Sequence, residues 1–333
     1  MHIKKWILAG MLFGAVIALH AQNTKKKMNN PLLCDPVKGV CETGTAEVEN
    51  PATEKIRADK APVKVIYFTD PICSSCWGIE PQLRKLKLEY GHSLDIEYRM
   101  GGLLPSWEVY NSGGIAKPAD VAAHWDEVSV HYRMPISGDV WLHDPLPSSY
   151  PPSVAFKAAQ MQDTHKAVTF LRKMREMLFI EEKNITKWEH LEQAAVFAEL
   201  DVPKLKEDYE NGSAKRLFDA DLAFAADMRV RGFPTLFFSN EEGFSKTLYG
   251  VVPYDRFEIT VKTLCPDCVK EPYRKEGLDI FQYYLTLTTR EFAELTGVSM
   301  ETAETFLHEK FEEGLLSLTA IKNGNIWGLK VWN

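Results

Sequence analysis

Cys73-Ser-Ser-Cys76 places two thiols three residues apart, where the apolar run Val63-Lys-Val-Ile-Tyr-Phe68 gives way to a helical pattern beginning at Trp77. A dithiol on the first turn of a helix can close a small disulfide without distorting the fold, and the exposed amide N–H groups there favour a thiolate on the first cysteine. A shift of the thiol pKa from about 8.5 to about 7 raises the thiolate fraction at pH 7 from a few per cent to roughly half. The chemistry so indicated is thiol–disulfide exchange, with Cys73 as nucleophile and Cys76 as resolving thiol. The same spacing also supplies half of many zinc sites.

The surrounding elements favour exchange over zinc. Pro81 falls inside the pattern running from Trp77 to about Tyr90 and should kink that helix, because it removes a hydrogen bond. Far downstream, Arg231-Gly-Phe-Pro-Thr-Leu-Phe-Phe238 is an X-Pro-Thr turn leading into an apolar strand. An X-Pro bond can be cis, and such a turn presents backbone groups that can pair with a bound peptide. Phe233, Pro234 and Thr235 are therefore candidate substrate-positioning residues.

This combination resembles the thioredoxin superfamily, and more narrowly the DsbA/FrnE-type dithiol oxidoreductases. Asp70 and Trp77 match the Asp-x-x-Cys-x-x-Cys-Trp/Tyr pattern of the FrnE side. Ser149-Tyr150, Ala155-Phe-Lys-Ala-Ala159, Phe170-Leu-Arg-Lys-Met174 and Lys183-Asn-Ile-Thr186 are similar to the insertion of YjbH-type members, bacterial adaptors that deliver a transcription regulator to a AAA+ protease. The resemblance covers roughly residues 62 to 333. It implies an α/β fold with a thioredoxin-like core, a large α-helical insertion and a cis-proline facing the nucleophile across a substrate groove. Trp77 reads first as a half-buried aromatic packing beside the dithiol and second as a candidate substrate contact. One departure stands out: the acidic residue found six positions before the first cysteine in thioredoxin and DsbA is Tyr67 here. Asp70 or Glu80 could replace it, although a solvent-facing role suits either at least as well.

Four cysteines remain. Cys265-Pro-Asp-Cys268 ends a helical segment and precedes no obvious helix, so it lacks the thiolate-favouring position of Cys73. With Cys34 and Cys41 it could form structural disulfides, a four-thiolate zinc site, or an electron relay feeding the dithiol. His124, His131, His143 and His165 show no ligand-like spacing. Beyond that zinc alternative no cofactor or metal is implied. Met174 and Met177 share an apolar helix face with Phe170 and Leu178 and read as core.

The chain has 333 residues, 45% of them hydrophobic, and a net charge of −7, which argues against a generally basic nucleic-acid binder. Trp6 to Leu19 is apolar, follows Lys4-Lys5 and ends at His20-Ala21-Gln22, the pattern of a signal peptide over residues 1–21. Export to the periplasm or cell envelope follows, with membrane attachment only if the segment stays uncleaved. Translation from Met28 would instead give a cytoplasmic protein. Residues 22–61 read as an extended arm carrying Cys34 and Cys41, and 62–268 as the thioredoxin-like domain, interrupted by helices at about 120–225.

Residues 274–333 read as a winged-helix-like unit. Leu278 to Leu287 looks helical, Thr289 to Thr296 is a helix closed by Gly297, Ser299 caps a third, and a hairpin turns at Lys322-Asn-Gly-Asn325. The third helix carries Glu301, Glu304, Glu309, Glu312 and Glu313 against Lys310, which disfavours DNA. Packing or protein docking suits it better, and its removal should leave the dithiol chemistry intact. The resulting reading is a thiol–disulfide oxidoreductase or isomerase acting on protein substrates. The alternative is a DsbA-fold adaptor or redox sensor that docks a client without turnover.

Overall fold

The computed structural model describes residues 61–110 and 117–330, together with the backbone strands at 34–35 and 40–42. The signal-peptide segment lies outside the described residues. Among those described, no helix is long and apolar enough to cross a membrane.

The arm contributes β1 (Cys34–Asp35) and β2 (Val40–Glu42). The core opens with β3 (Val63–Thr69), whose almost wholly buried side chains explain its apolar sequence, followed by α1 (Ser74–Gly78), α2 (Glu80–Tyr90) and β4 (Leu94–Met100). Instead of a kink within one helix there are two helices separated by Ile79, with Pro81 in the first turn of α2, where its missing N–H costs nothing.

Seven helices follow: α3 (Ala119–Tyr132), α4 (Val140–His143), α5 (Tyr150–Gln162), α6 (Thr164–Phe179), α7 (Trp188–Phe197), α8 (Val202–Glu210) and α9 (Ser213–Asp227). Asp201 caps α8 as its sequence implies, its carboxylate accepting from Lys204 N at 3.0 Å. The chain then returns through β5 (Gly232–Phe233), β6 (Thr235–Asn240), β7 (Ser245–Tyr249) and α10 (Tyr254–Leu264). The central sheet has the order β4-β3-β6-β7, with β3 and β4 parallel and the other pairs antiparallel. A second sheet, β1-β2-β5, joins the arm to the core.

The C-terminal unit comprises β8 (Thr286–Thr288), α11 (Thr289–Thr296), α12 (Met300–Glu312), β9 (Leu316–Ile321) and β10 (Gly324–Leu329), in a sheet of order β8-β10-β9. The helix expected over 278–287 is only a 3-10 stretch, Gly277–Gln282, because Thr286–Thr288 is taken up by pairing with β10. Ile280, Leu287, Phe292, Leu307, Leu316 and Trp327 give the unit its own apolar core.

It is nonetheless fixed to the rest of the chain. Glu291 completes a capping box with Thr288 and also binds the buried guanidinium groups of Arg172 on α6 and Arg84 on α2. At the wing tip, Lys322 pairs with Asp126 and Asp139 at 2.8 and 2.7 Å, and Asn323 donates to Ile136 O at 2.9 Å. The packing role read from its sequence thus has definite partners on α2, on α6 and at the start of α4. Its loss would take one carboxylate from two buried cations, leaving Arg172 with Glu176 and Arg84 with Glu80, and Arg172 packs against the residue after Cys76.

Candidate redox site and client edge

At the end of β3 the chain turns through Asp70. Its Oδ1 accepts from Ile72 N at 3.0 Å and its carbonyl accepts from Cys73 N at 3.2 Å, which sets Cys73 as the N-cap of α1. Cys73 Sγ accepts from Cys76 N at 3.1 Å, and both sulfurs are wholly buried. Each is a free cysteine. On its other side Cys73 Sγ lies 3.8 Å from the carbonyl oxygen of Phe233, a contact that a thiol can make as donor and a thiolate cannot.

The ease of ionisation within the pair is the reverse of what helix position alone implies. Burial pushes the Cys73 thiol well up, and the hydrogen bond and charge of Cys76 push it further. For Cys76 burial also disfavours ionisation, but the hydrogen bond from Cys73, the Arg175 guanidinium and the Thr69 hydroxyl outweigh it and bring its pKa down. Position and charge are thus divided. Cys73 faces the proline turn, while Cys76 faces the buried cation.

That cation is the feature the sequence did not disclose. Arg175, on α6 and wholly buried, donates to Thr69 Oγ1 at 2.6 Å, to Asp70 O at 3.3 Å and to Glu80 Oε1 at 2.6 Å. Thr69 Oγ1 in turn donates to Tyr67 Oη at 3.1 Å. Tyr67, six positions before Cys73, thus places a phenol there whose pKa burial, and next the charge of Cys76, push well up. An arginine on a helix face carries no sequence signal for this role, since its partners are about a hundred residues distant in the chain.

Asp70 does not face solvent, which corrects that expectation, and Glu80 keeps only a small exposed part. Asp70 is fully buried and accepts from Leu103 N at 2.7 Å and Ser149 Oγ at 2.9 Å. Burial still pushes its carboxyl up to about 6, against the opposing hydrogen bonds from Leu103, Ile72 and Ser149. Glu80 is held by Arg175 and, at 3.8 Å, by Arg84.

Trp77, read first as packing beside the dithiol and second as a substrate contact, has no exposed surface. Its Nε1 donates to Pro135 O at 3.0 Å, and its ring stacks on Phe179 and under the Arg172 guanidinium. It supports α1 from within and touches no groove. Phe233 and Thr235 are likewise buried side chains, so what the turn can offer a client is backbone. The Phe233–Pro234 peptide bond is cis, Thr235 Oγ1 donates to Gly232 O at 2.7 Å, and Gly250 N donates to Pro234 O at 2.9 Å. The Phe233 ring lies so close to Gly101 that a Cβ there would come within 1.8 Å of Phe233 Cζ.

The described edge of Gly232–Phe233 is paired with β2: Cys41 opposes Phe233 and Glu42 opposes Gly232. Beside α1, a cleft of about 310 Å³ is lined by Gly78, Gln82, Tyr132, Arg133, Val251 and Arg290. Cys265 and Cys268 are joined to each other by a disulfide, so neither takes part in a four-thiolate site or a bridge to the arm. Cys34 and Cys41 stand opposite each other in the β1–β2 register.

The family model described as Thioredoxin matches residues 67–259. The chain is 32% identical over 307 residues to the ClpXP adapter protein SpxH of Halalkalibacterium halodurans, an alignment covering 90% of this chain and 97% of that protein. It is 30% identical over 273 residues to SpxH of Bacillus subtilis, covering 80% and 89% respectively. Among solved structures, a putative protein disulfide isomerase from Nitrosomonas europaea superposes with a TM-score of 0.52 at 19% identity, over 60% of this chain and 96% of that one, a likeness of fold.

Proposed function

We propose that this chain, which belongs to the thioredoxin family as a DsbA-type member close to the YjbH-type proteins, is a protein adapter. It binds a client polypeptide and presents it to a ClpXP-type protease, and the Cys73/Cys76 pair serves as a redox-responsive element. The observation that carries the reading is the complete burial of both sulfurs. A turnover enzyme needs its attacking thiolate within reach of a substrate disulfide. The near full-length similarity to proteins named as ClpXP adapters supports the same reading. It goes with the cytoplasmic start at Met28, since an exported chain would not meet such a protease.

A second reading, thiol–disulfide oxidoreductase, draws on a different observation. Cys73 Sγ lies at the N-cap of α1 and 3.8 Å from Phe233 O, where a client strand on the Gly232–Phe233 edge would bring its own sulfur. This reading goes with export.

Cell fractionation separates the two. Proteins co-purified with the chain should be degraded by ClpXP faster when the chain is added, and the chain should reduce a small disulfide poorly. Envelope localisation with rapid disulfide reduction and no effect on proteolysis would sink the adapter reading and leave the oxidoreductase.

A further inference from the structure

The backbone edge next to the dithiol already carries a strand of this chain. Cys41 is the antiparallel partner of Phe233, and β2 also contacts α1. Phe233 is the same residue whose carbonyl oxygen lies 3.8 Å from Cys73 Sγ. Cys34 stands opposite Cys41, one strand further out in the order β1-β2-β5. Directly opposed residues of antiparallel strands have Cα atoms roughly 4.5–5.5 Å apart, inside the range of about 4.4–6.8 Å that a disulfide spans. Three cysteine positions therefore converge on one residue, Phe233: Cys73 at its carbonyl, Cys41 across the ladder, and Cys34 behind Cys41.

We propose that Cys34 and Cys41 form a second redox pair and that β2 is an internal client of the dithiol, exchanging a Cys34–Cys41 disulfide with Cys73 and Cys76. Cys73 gives up its proton as its sulfur attacks Cys41, the Cys34–Cys41 bond breaks, and Cys34 leaves as a thiolate that takes up that proton. The Cys76 thiolate then attacks Cys73, the Cys73–Cys41 bond breaks, and Cys41 leaves and takes up the proton released by Cys76. Two electrons pass from Cys73/Cys76 to Cys34/Cys41, protons balance, and no outside reagent is consumed. The register selects Cys41 over Cys34 as the residue attacked, because Cys41 is the one paired with β5. While β2 holds the edge, an outside client must displace it, which accounts for the complete shielding of Cys73.

The exchange goes beyond the adapter reading and is measured on the chain alone. The full chain carrying Cys76→Ser, treated with limiting diamide, blocked with N-ethylmaleimide and digested without reductant, should yield a peptide pair linked through Cys73 and Cys41, with Cys34 blocked. Adding Glu42→Pro removes a strand donor without touching a cysteine. It should abolish that link, and in the otherwise unmodified chain it should raise the rate of Cys73 alkylation by about tenfold, as a shielded site reacts only from its open fraction. Circular dichroism checks that all three variants fold. A Cys73–Cys34 link, no link from Cys73 to either arm cysteine, or a link that survives Glu42→Pro would each overturn the proposal. Failure of ClpXP-dependent degradation would count against the adapter reading alone.

Discussion

Arg172 and Glu291 meet between the helical insertion and the C-terminal unit through two hydrogen bonds, Nη1 to Oε1 at 2.6 Å and Nη2 to Oε2 at 3.0 Å. The same guanidinium lies 4.2 Å from the centre of the Trp77 ring, and Arg84 approaches Glu291 at 3.3 Å. A carboxylate of the last sixty residues thus sets the charge balance beneath the residue following Cys76.

Glu291→Gln should cost about 3–5 kcal/mol, the usual effect of removing one partner from a buried ion pair. Burial opposes ionisation of Glu291, but Arg172 and Arg84 hold its pKa below the ordinary carboxylate value. A depressed acid contributes stability above its unfolded pKa of about 4.3, and that contribution is lost as pH falls through the lower folded value. The gap between wild type and variant in urea midpoint should therefore narrow below about pH 4. A gap that stays constant with pH would contradict this.

Asp70 behaves with the opposite sign. Its carboxyl, pushed up to about 6 by burial, contributes stability that is fully present below the unfolded pKa and lost as pH rises through the folded one. Relative to Asp70→Asn, wild type should gain on the order of 3 kcal/mol between pH 7 and pH 4. Parallel pH profiles for the two proteins would refute the assignment.

Arg175→Met removes the cation that helps bring Cys76 down. The midpoint of the ultraviolet thiolate absorbance, followed in a Cys73→Ser background, should move to higher pH. An unchanged midpoint would mean that the guanidinium only ties Thr69 to Glu80.

Gly101→Ala puts a methyl group where the Phe233 ring sits. Overpacking of this kind costs about 1–3 kcal/mol. Because the displaced residue is the one next to Cys73, alkylation of Cys73 should also quicken. A loss of stability with no change in alkylation would place the effect in the core alone.

Replacing Cys265 and Cys268 together by serine opens a ring closed over a sequence separation of only 3. By loop entropy the loss is about 2 kcal/mol or less, and the Cys73/Cys76 titration should not move. A metal chelator should leave the melting temperature of the unsubstituted protein unchanged. A marked fall on chelation would contradict the Cys265–Cys268 pairing and return those two thiols to a metal site.

Local sequence determined what local chemistry controls. The apolar run Val63–Phe68 became the central strand, Asp201 and Ser299 capped the helices they announce, Gly297 closed α11 with φ 78°, and the turn after Ile321 joined two strands. Each follows from residues within a few positions of one another, as does the placement of Cys73 at a helix start. What only the tertiary structure decided involves partners distant in the chain. Arg175 reaches Thr69 and Glu80, Glu291 reaches Arg172, and Trp77 disappears beneath Phe179 and Pro135. The ionisation of a buried thiol depends on its desolvation and on which charges the fold brings within a few ångströms. Helix position favoured charge on Cys73, whereas packing placed the cation beside Cys76. In the same way Cys34 and Cys41 read as one of several pairings until strand register set them opposite each other and set Cys41 against Phe233.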